Sequence, residues 1–111
     1  MHELGLCSSI VEAVEGHAAG RRVLKVKVHV GRLHHVHPEA FDQSFAVAAQ
    51  GTVAEGAEAE LVLLPLTSTC RSCGASHEGT SLPPGCVSCG STDIAPLGGD
   101  ELLLETIEYA G

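Results

Sequence analysis

Apolar positions in the first thirty residues change period once. Leu4, Cys7, Ile10, Val11, Val14 and Ala18 recur at steps of three and four, which gathers them on one face of a helix. Glu12 and Glu15 fall on the other side, and Gly20 stops the run with Arg21 and Arg22 near the negative end of the helix dipole. The spacing predicts a helix over 4–18. Residues 23–30 then alternate, with Leu24, Val26, Val28 and Val30 expected on one face. Lys25, Lys27 and His29 take the other, joined by Val23, as in a half-buried strand ended by Gly31.

Pro38 suits the first turn of a second helix, and Glu39 sits well beside its positive end. Phe41, Phe45, Ala48 and Ala49 supply its apolar stripe, and a stop is expected near Gly51 or a few residues later. A second strand covers 60–66, with Pro65 marking its end or an edge because proline cannot donate to a ladder. Residues 67–93 change character. Ser, Thr, Gly, Pro and Cys dominate, so something other than an apolar core must hold them. Strand-like text returns at 94–97, a Gly98-Gly99-Asp100 turn follows, and 101–109 is long enough to rejoin the first sheet.

The expected fold is α+β. Two helices pack on a three-stranded sheet of residues 23–30, 60–66 and 101–109, and a zinc-ribbon-like lobe with two CxxC knuckles is inserted. The expected domains are 1–66 plus 95–111, and 67–94.

Composition narrows the chemistry. The chain has 111 residues, of which 44% are hydrophobic but only 3% aromatic, so a core is affordable and must be aliphatic. Few aromatics and a net charge of −8 argue against nucleic-acid binding, which needs stacking platforms or clustered Lys and Arg. The charge is uneven: residues 1–37 carry +2 and residues 38–111 carry −10. No run approaches the roughly 20 apolar residues of a membrane span. The opening lacks the basic start and apolar core of a signal peptide, so the cytoplasm is the expected compartment.

Four of the 5 cysteines form two copies of CxxCG, Cys70-Arg-Ser-Cys73-Gly74 and Cys86-Val-Ser-Cys89-Gly90, with 12 residues between Cys73 and Cys86. Two intervening residues let one tight turn present both sulfurs to a single ion, and the glycine permits the positive φ such a knuckle uses. Four thiolates suit tetrahedral Zn²⁺ and leave no open position, so the site is expected to be structural. A redox disulfide pair is the weaker reading, because the setting is not thioredoxin-like. An iron–sulfur site shares the same spacing. His77, four residues after Cys73, is a candidate to exchange into the site, against the simpler expectation of a solvated loop position.

The start, Met1-His2-Glu3, carries a second candidate chelate. The Met1 amine, the His2 amide nitrogen and the His2 imidazole can wrap one ion in fused rings, a nitrogen set that suits square-planar Ni²⁺ or Cu²⁺. A fourth ligand could come from the Glu3 amide or carboxylate, or from elsewhere. The helix that follows would fix this short segment on a rigid element.

Here the chain resembles the HypA/HybF family of hydrogenase nickel-incorporation proteins. The resemblance rests on Met1-His2-Glu3-Leu4 before an amphipathic helix with Cys7, and on the alternating valine strand ending at Gly31. It continues through Pro38-Glu39-Ala40-Phe41, Glu55-Gly56-Ala57, the strand leading to Pro65, the paired CxxC motifs and the closing Ile107-Glu108 strand. It implies a small metallochaperone, not an enzyme, with a nickel-binding and a zinc-binding domain. Nickel, a transient cargo, would be held at Met1, His2 and Glu3, with His2 essential. Zinc would be held by Cys70, Cys73, Cys86 and Cys89. It further implies work with a nickel-handling GTPase, HypB, and delivery to the [NiFe]-hydrogenase large subunit; some members serve urease. Monomer and homodimer are both compatible. The competing reading is a zinc-ribbon adaptor with no nickel role.

Three further groups carry expectations of their own. His34, His35 and His37 are either an auxiliary metal-loading patch or an exposed loop, and His17 and His29 are expected at the surface. Glu55, Glu58 and Glu60 are expected to form a solvated acidic edge. Cys7, on the apolar face, is expected to behave as a small buried hydrophobe.

Overall fold

A computed structural model of the chain describes residues His2–Gly111; Met1 lies outside the described residues. The elements in chain order are α1 (His2–Ala18), β1 (Val23–Gly31), a 3₁₀ turn (Arg32–His34), α2 (Pro38–Ala49), β2 (Glu58–Leu64), β3 (Leu66–Cys70), β4 (Ser76–Gly79), β5 (Ile94–Gly98) and β6 (Leu102–Tyr109). They form two three-stranded sheets, ordered β2-β1-β6 and β4-β3-β5. The α+β class and the first sheet agree with the sequence pattern.

The chain divides into two compact units. One comprises Met1–His29, Val36–Val62 and Leu103–Gly111, and the other Val30–His35 and Leu63–Leu102. In the first, α1 buries Cys7, Ile10, Val11, Val14 and Ala18, the expected stripe less Leu4, which is half-buried. Helix α2 buries Phe41, Ser44, Phe45 and Ala49, and its two rings stack with centroids 6.4 Å apart. Cys7 Sγ lies 3.5 Å from the Phe41 carbonyl and ties the helices together. Burial, then the charges of Glu3 and Asp42, push this thiol up to about 12, so it stays a neutral packing group. Helix α1 ends where Ala19 and Gly20 both take positive φ. At the far end of the unit, Arg21 stacks 3.7 Å above the Tyr109 ring.

Strand β1 departs from its expected faces at its start. Val23 is buried with Val26, Val28 and Val30, whereas Leu24 is 55% exposed. The Val23 N–H donates to the Val53 carbonyl (3.0 Å), and Leu24 and Lys25 then both face outward before Val26 turns in. At the two ends of β1, Ala110 N–H donates to the Arg22 carbonyl and Gly31 N–H to the Glu101 carbonyl, so β1 and β6 run antiparallel. Lys25 bridges Glu60 (3.0 Å) and Glu58 (3.7 Å), which makes the expected acidic edge a paired one. His29 is half-buried instead of exposed, and its Nε2 is enclosed without a hydrogen-bond partner.

In the second unit, residues 67–93, for which no strand was expected, carry β4 and most of β3. Strand β3 begins immediately after Pro65 and pairs antiparallel with both β4 and β5. Alternation of Leu66, Ser68 and Cys70 inward against Thr67 and Thr69 supplies the strand period, carried by small and β-branched residues instead of large apolar ones. Pro96 lies in β5, an edge strand, where a missing N–H is tolerated.

The tightest backbone approach also lies in this unit. Gly31 N–H donates to Glu101 O (2.8 Å), Leu33 N–H to Gly99 O (2.7 Å), and a Cβ at Gly31 would overlap the Gly99 carbonyl. Gly31→Ala should therefore abolish or severely weaken folding. Gly16→Ala, in α1 with nothing within 4 Å of an added Cβ, should stabilise by about 0.5–1 kcal/mol. Urea denaturation followed by circular dichroism compares the two.

Candidate metal centre

The two CxxCG segments fold as near-copies of one another. Cys70 N–H donates to Ala75 O and Cys86 N–H to Ser91 O, both at 2.8 Å. Gly74 N–H returns to Cys70 O (2.8 Å) and Gly90 N–H to Cys86 O (2.7 Å). Gly74 and Gly90 take φ of 80° and 79°, the left-handed conformation that closes each turn and that only glycine adopts without strain. Each knuckle buries its first cysteine and exposes its second. The knuckles face each other, with Cys70 Sγ 3.6 Å from Cys89 Sγ and Cys73 Sγ 3.6 Å from Cys86 Sγ.

All four sulfurs lie within 4.8 Å of one another. Four thiolates about 2.3 Å from a central ion in a tetrahedron stand about 3.8 Å apart, so the cluster has the size such an ion needs. Among the described residues, it is the one group of three or more His, Cys, Asp or Glu donors gathered so closely.

The knuckle backbones arrange the charge. N–H groups of Cys73 and then Ser72 bring the Cys70 thiol below its ordinary value against the effect of burial. Burial works to raise Cys86, but the N–H groups of Cys89 and Ser88, the His77 ring and Cys73 outweigh it and bring the thiol down to about 5. The remaining pair moves the other way. The Ser91 N–H favours the Cys89 thiolate, yet crowding by Cys70, burial, and the sulfurs of Cys73 and Cys86 push it up to about 12. Cys73 is raised likewise by Cys86 and by burial, despite the Ala75 N–H. Four sulfurs so close cannot all ionise until a cation joins them. His77 is therefore no solvated loop residue: it lies on β4 beside Cys86, with its Nε2 enclosed and unpartnered.

Of the N-terminal candidates, His2 and Glu3 sit in the first turn of α1, and Met1 lies outside the described residues. His2 is exposed, and its Nδ1 stands 3.3 Å from Glu3 Oε1. Glu3 Oε2 accepts the His37 N–H at 3.4 Å, at the residue that caps α2. The Glu3 carboxyl is held below its ordinary value, first by its own backbone N–H and then, against burial, by the N–H of His37 and the charges of His2 and His37. His34, His35 and His37 are not among the described donors gathered closely enough in groups of three to hold an ion. In the second unit, His34 Nε2 contacts the Asp100 carbonyl (2.8 Å) and His35 takes a left-handed φ of 52°. His37 belongs to the first unit.

Because the Cys73 and Cys89 thiols are pushed up and hold their protons at neutral pH, metal uptake should expel at least two protons. Apparent affinity should therefore fall at least about 100-fold per pH unit as pH drops from 7.5 to 6, measured by chelator competition. An affinity flat over that range would contradict this charge arrangement.

Comparison with known proteins agrees with the geometry. A family model described as "Hydrogenase/urease nickel incorporation, metallochaperone, hypA" matches residues 1–109. The hydrogenase maturation factor HypA of Desulfitobacterium hafniense is 40% identical, and that of Trichormus variabilis 38%, each over 97% of this chain and at least 95% of its own. The solution structure of the Ni metallochaperone HypA from Helicobacter pylori superposes with a TM-score of 0.67 at 20% identity, covering 96% of each chain. With two helices, a sheet of order β2-β1-β6 and a four-cysteine cluster between paired knuckles, this chain belongs to the HypA family of hydrogenase and urease nickel-incorporation metallochaperones.

Proposed function

We propose that the protein captures one Ni²⁺ ion at Met1, His2 and Glu3 and delivers it during [NiFe]-hydrogenase maturation, without catalytic turnover. The observation that carries this reading is the first turn of α1, where His2 is exposed and Glu3 is anchored to the His37 amide. The first N–H groups of a helix have no intrahelical acceptor, so the His2 and Glu3 amides lie outside the helical ladder. The positive end of the dipole makes loss of an amide proton easier there than in mid-helix. Nickel bound by the terminal amine, amide nitrogens and the His2 ring would then sit on the rigid start of α1. Glu3, engaged with its own amide, His2 and His37, acts as a brace.

Cys70, Cys73, Cys86 and Cys89 would hold the resident metal, which we assign as Zn²⁺ from the all-sulfur donor set and the size of the cluster. When bound, zinc cross-links the two knuckles and supplies no open coordination position. Release of nickel would need a partner that offers competing ligands; a HypB-like GTPase and the hydrogenase large subunit are the proposed ones. The reduced thiols fit a cytoplasmic setting.

The test is a Ni²⁺ titration of zinc-loaded protein with an unextended N-terminus. Wild type should bind one ion, and affinity should rise with pH as protons are displaced. His2→Ala should lower nickel affinity by at least about 100-fold while leaving the zinc content unchanged. Equal nickel binding by both proteins would reject the N-terminal site.

A further inference from the structure

The two knuckles share Cys-x-Ser-Cys-Gly and differ at Arg71 against Val87 and at Ala75 against Ser91. Ala75 follows the glycine of the first; Ser91 follows the glycine of the second. Both use their carbonyl to hold the first cysteine of the knuckle, and both turn an N–H toward the second. Ser91 has a hydroxyl in addition, and it is fully engaged. Its Oγ accepts the Asp93 N–H at 3.1 Å and meets Ser72 Oγ of the opposite knuckle at 2.8 Å. With one lone pair occupied by the Asp93 amide, the hydroxyl can still donate to Ser72 or accept from it.

The same two segments touch at two further points. Arg71 N–H donates to the Asp93 carbonyl (2.9 Å), and the Arg71 guanidinium lies 3.6 Å from the Asp93 carboxylate. Ser72 lies between Cys70 and Cys73, and Ser91 is two residues past Cys89. A bond between their hydroxyls therefore bridges the two cysteine pairs through the protein itself, independently of any ion.

We propose that Ser91 is the positioning residue of the four-cysteine centre: with Ser72 it forms a hydroxyl latch that holds the knuckles together and sets how long the metal stays bound. This rests on the cluster being a zinc site. An ion held by four thiolates leaves by losing them in succession, and a knuckle free to swing away after the first loss cannot rebind quickly. The latch keeps the departed sulfur close, so it lengthens the lifetime of the bound metal without contributing a ligand.

The experiment uses the full chain loaded with zinc and measures the rate of zinc transfer to 4-(2-pyridylazo)resorcinol. Wild type, Ser91→Ala, Ser72→Ala, the double variant and Ser91→Thr are compared, with Ser88→Ala as the control at the position matching Ser72. Ser91→Ala and Ser72→Ala should each speed release by about five- to tenfold, the effect of one hydrogen bond. The double variant should be no faster than either single one, because both remove the same bond. Ser91→Thr should restore the wild-type rate, and Ser88→Ala should leave it unchanged. The cobalt-substituted proteins should all keep the sulfur-to-metal charge-transfer intensity of four thiolates, which shows that ligation is intact. Unchanged release in the two alanine variants, or rates that multiply in the double variant, would overturn the latch while the zinc site stands. Wild type that binds no stoichiometric zinc would instead overturn the zinc reading, and the latch with it.

Discussion

Four sulfurs drawn within 4.8 Å of one another are the constraint on which half of this chain depends. Few apolar side chains are buried in that unit: Val30, Leu66, Cys70 and Cys86. Such a segment gains little from apolar burial to set against its chain entropy, and a metal held by the four thiolates would supply the missing free energy. The local structure is built around that need. Gly74 and Gly90 turn the chain back, backbone N–H groups face the thiolates, and β3 carries Cys70 inward as the last residue of an alternating strand. The serine hydroxyls join the two turns directly, beside the Arg71–Asp93 contacts.

The other unit is stabilised differently. Its core is aliphatic, with one stacked Phe41–Phe45 pair, and Cys7 serves as a packing group against α2. Its rigidity matters at one end. Helix α1 covers His2 and Glu3, so these two residues of the proposed chelate stand on a structured turn, and Glu3 fastens that turn to the cap of α2. The proposed function gives this chain two forms of metal handling. The four-cysteine cluster is a closed sulfur set that would suit permanent residence. The proposed nickel set at Met1, His2 and Glu3 would be one from which an ion can be taken.

Most of the fold was legible wherever large apolar residues carried a period. The stripe on α1, Pro38 at the start of α2 and the valines of β1 each mark their element, because burial of one face demands that spacing. The β4-β3-β5 sheet was not legible from hydrophobicity. Leu66-Thr67-Ser68-Thr69-Cys70 alternates, but with small polar residues, and its partners Ser76–Gly79 and Ile94–Gly98 are short. The β-branched threonines were the available signal. Leu24 was misplaced because strict alternation cannot register two successive outward residues at a strand entry held by Val53.

The sequence by itself determined the candidate ligands and their pairing in motifs, because two residues between cysteines and an early histidine are local facts of spacing. It also determined the two helices and the central strand, through the period of their apolar faces. Only the tertiary structure decided which knuckle sulfurs face each other, that His77 stands beside Cys86, that Glu3 grips the His37 amide and that Ser91 meets Ser72. Each of those contacts joins residues distant in the chain. Their geometry depends on strand register and turn conformation, which no local pattern of side chains encodes.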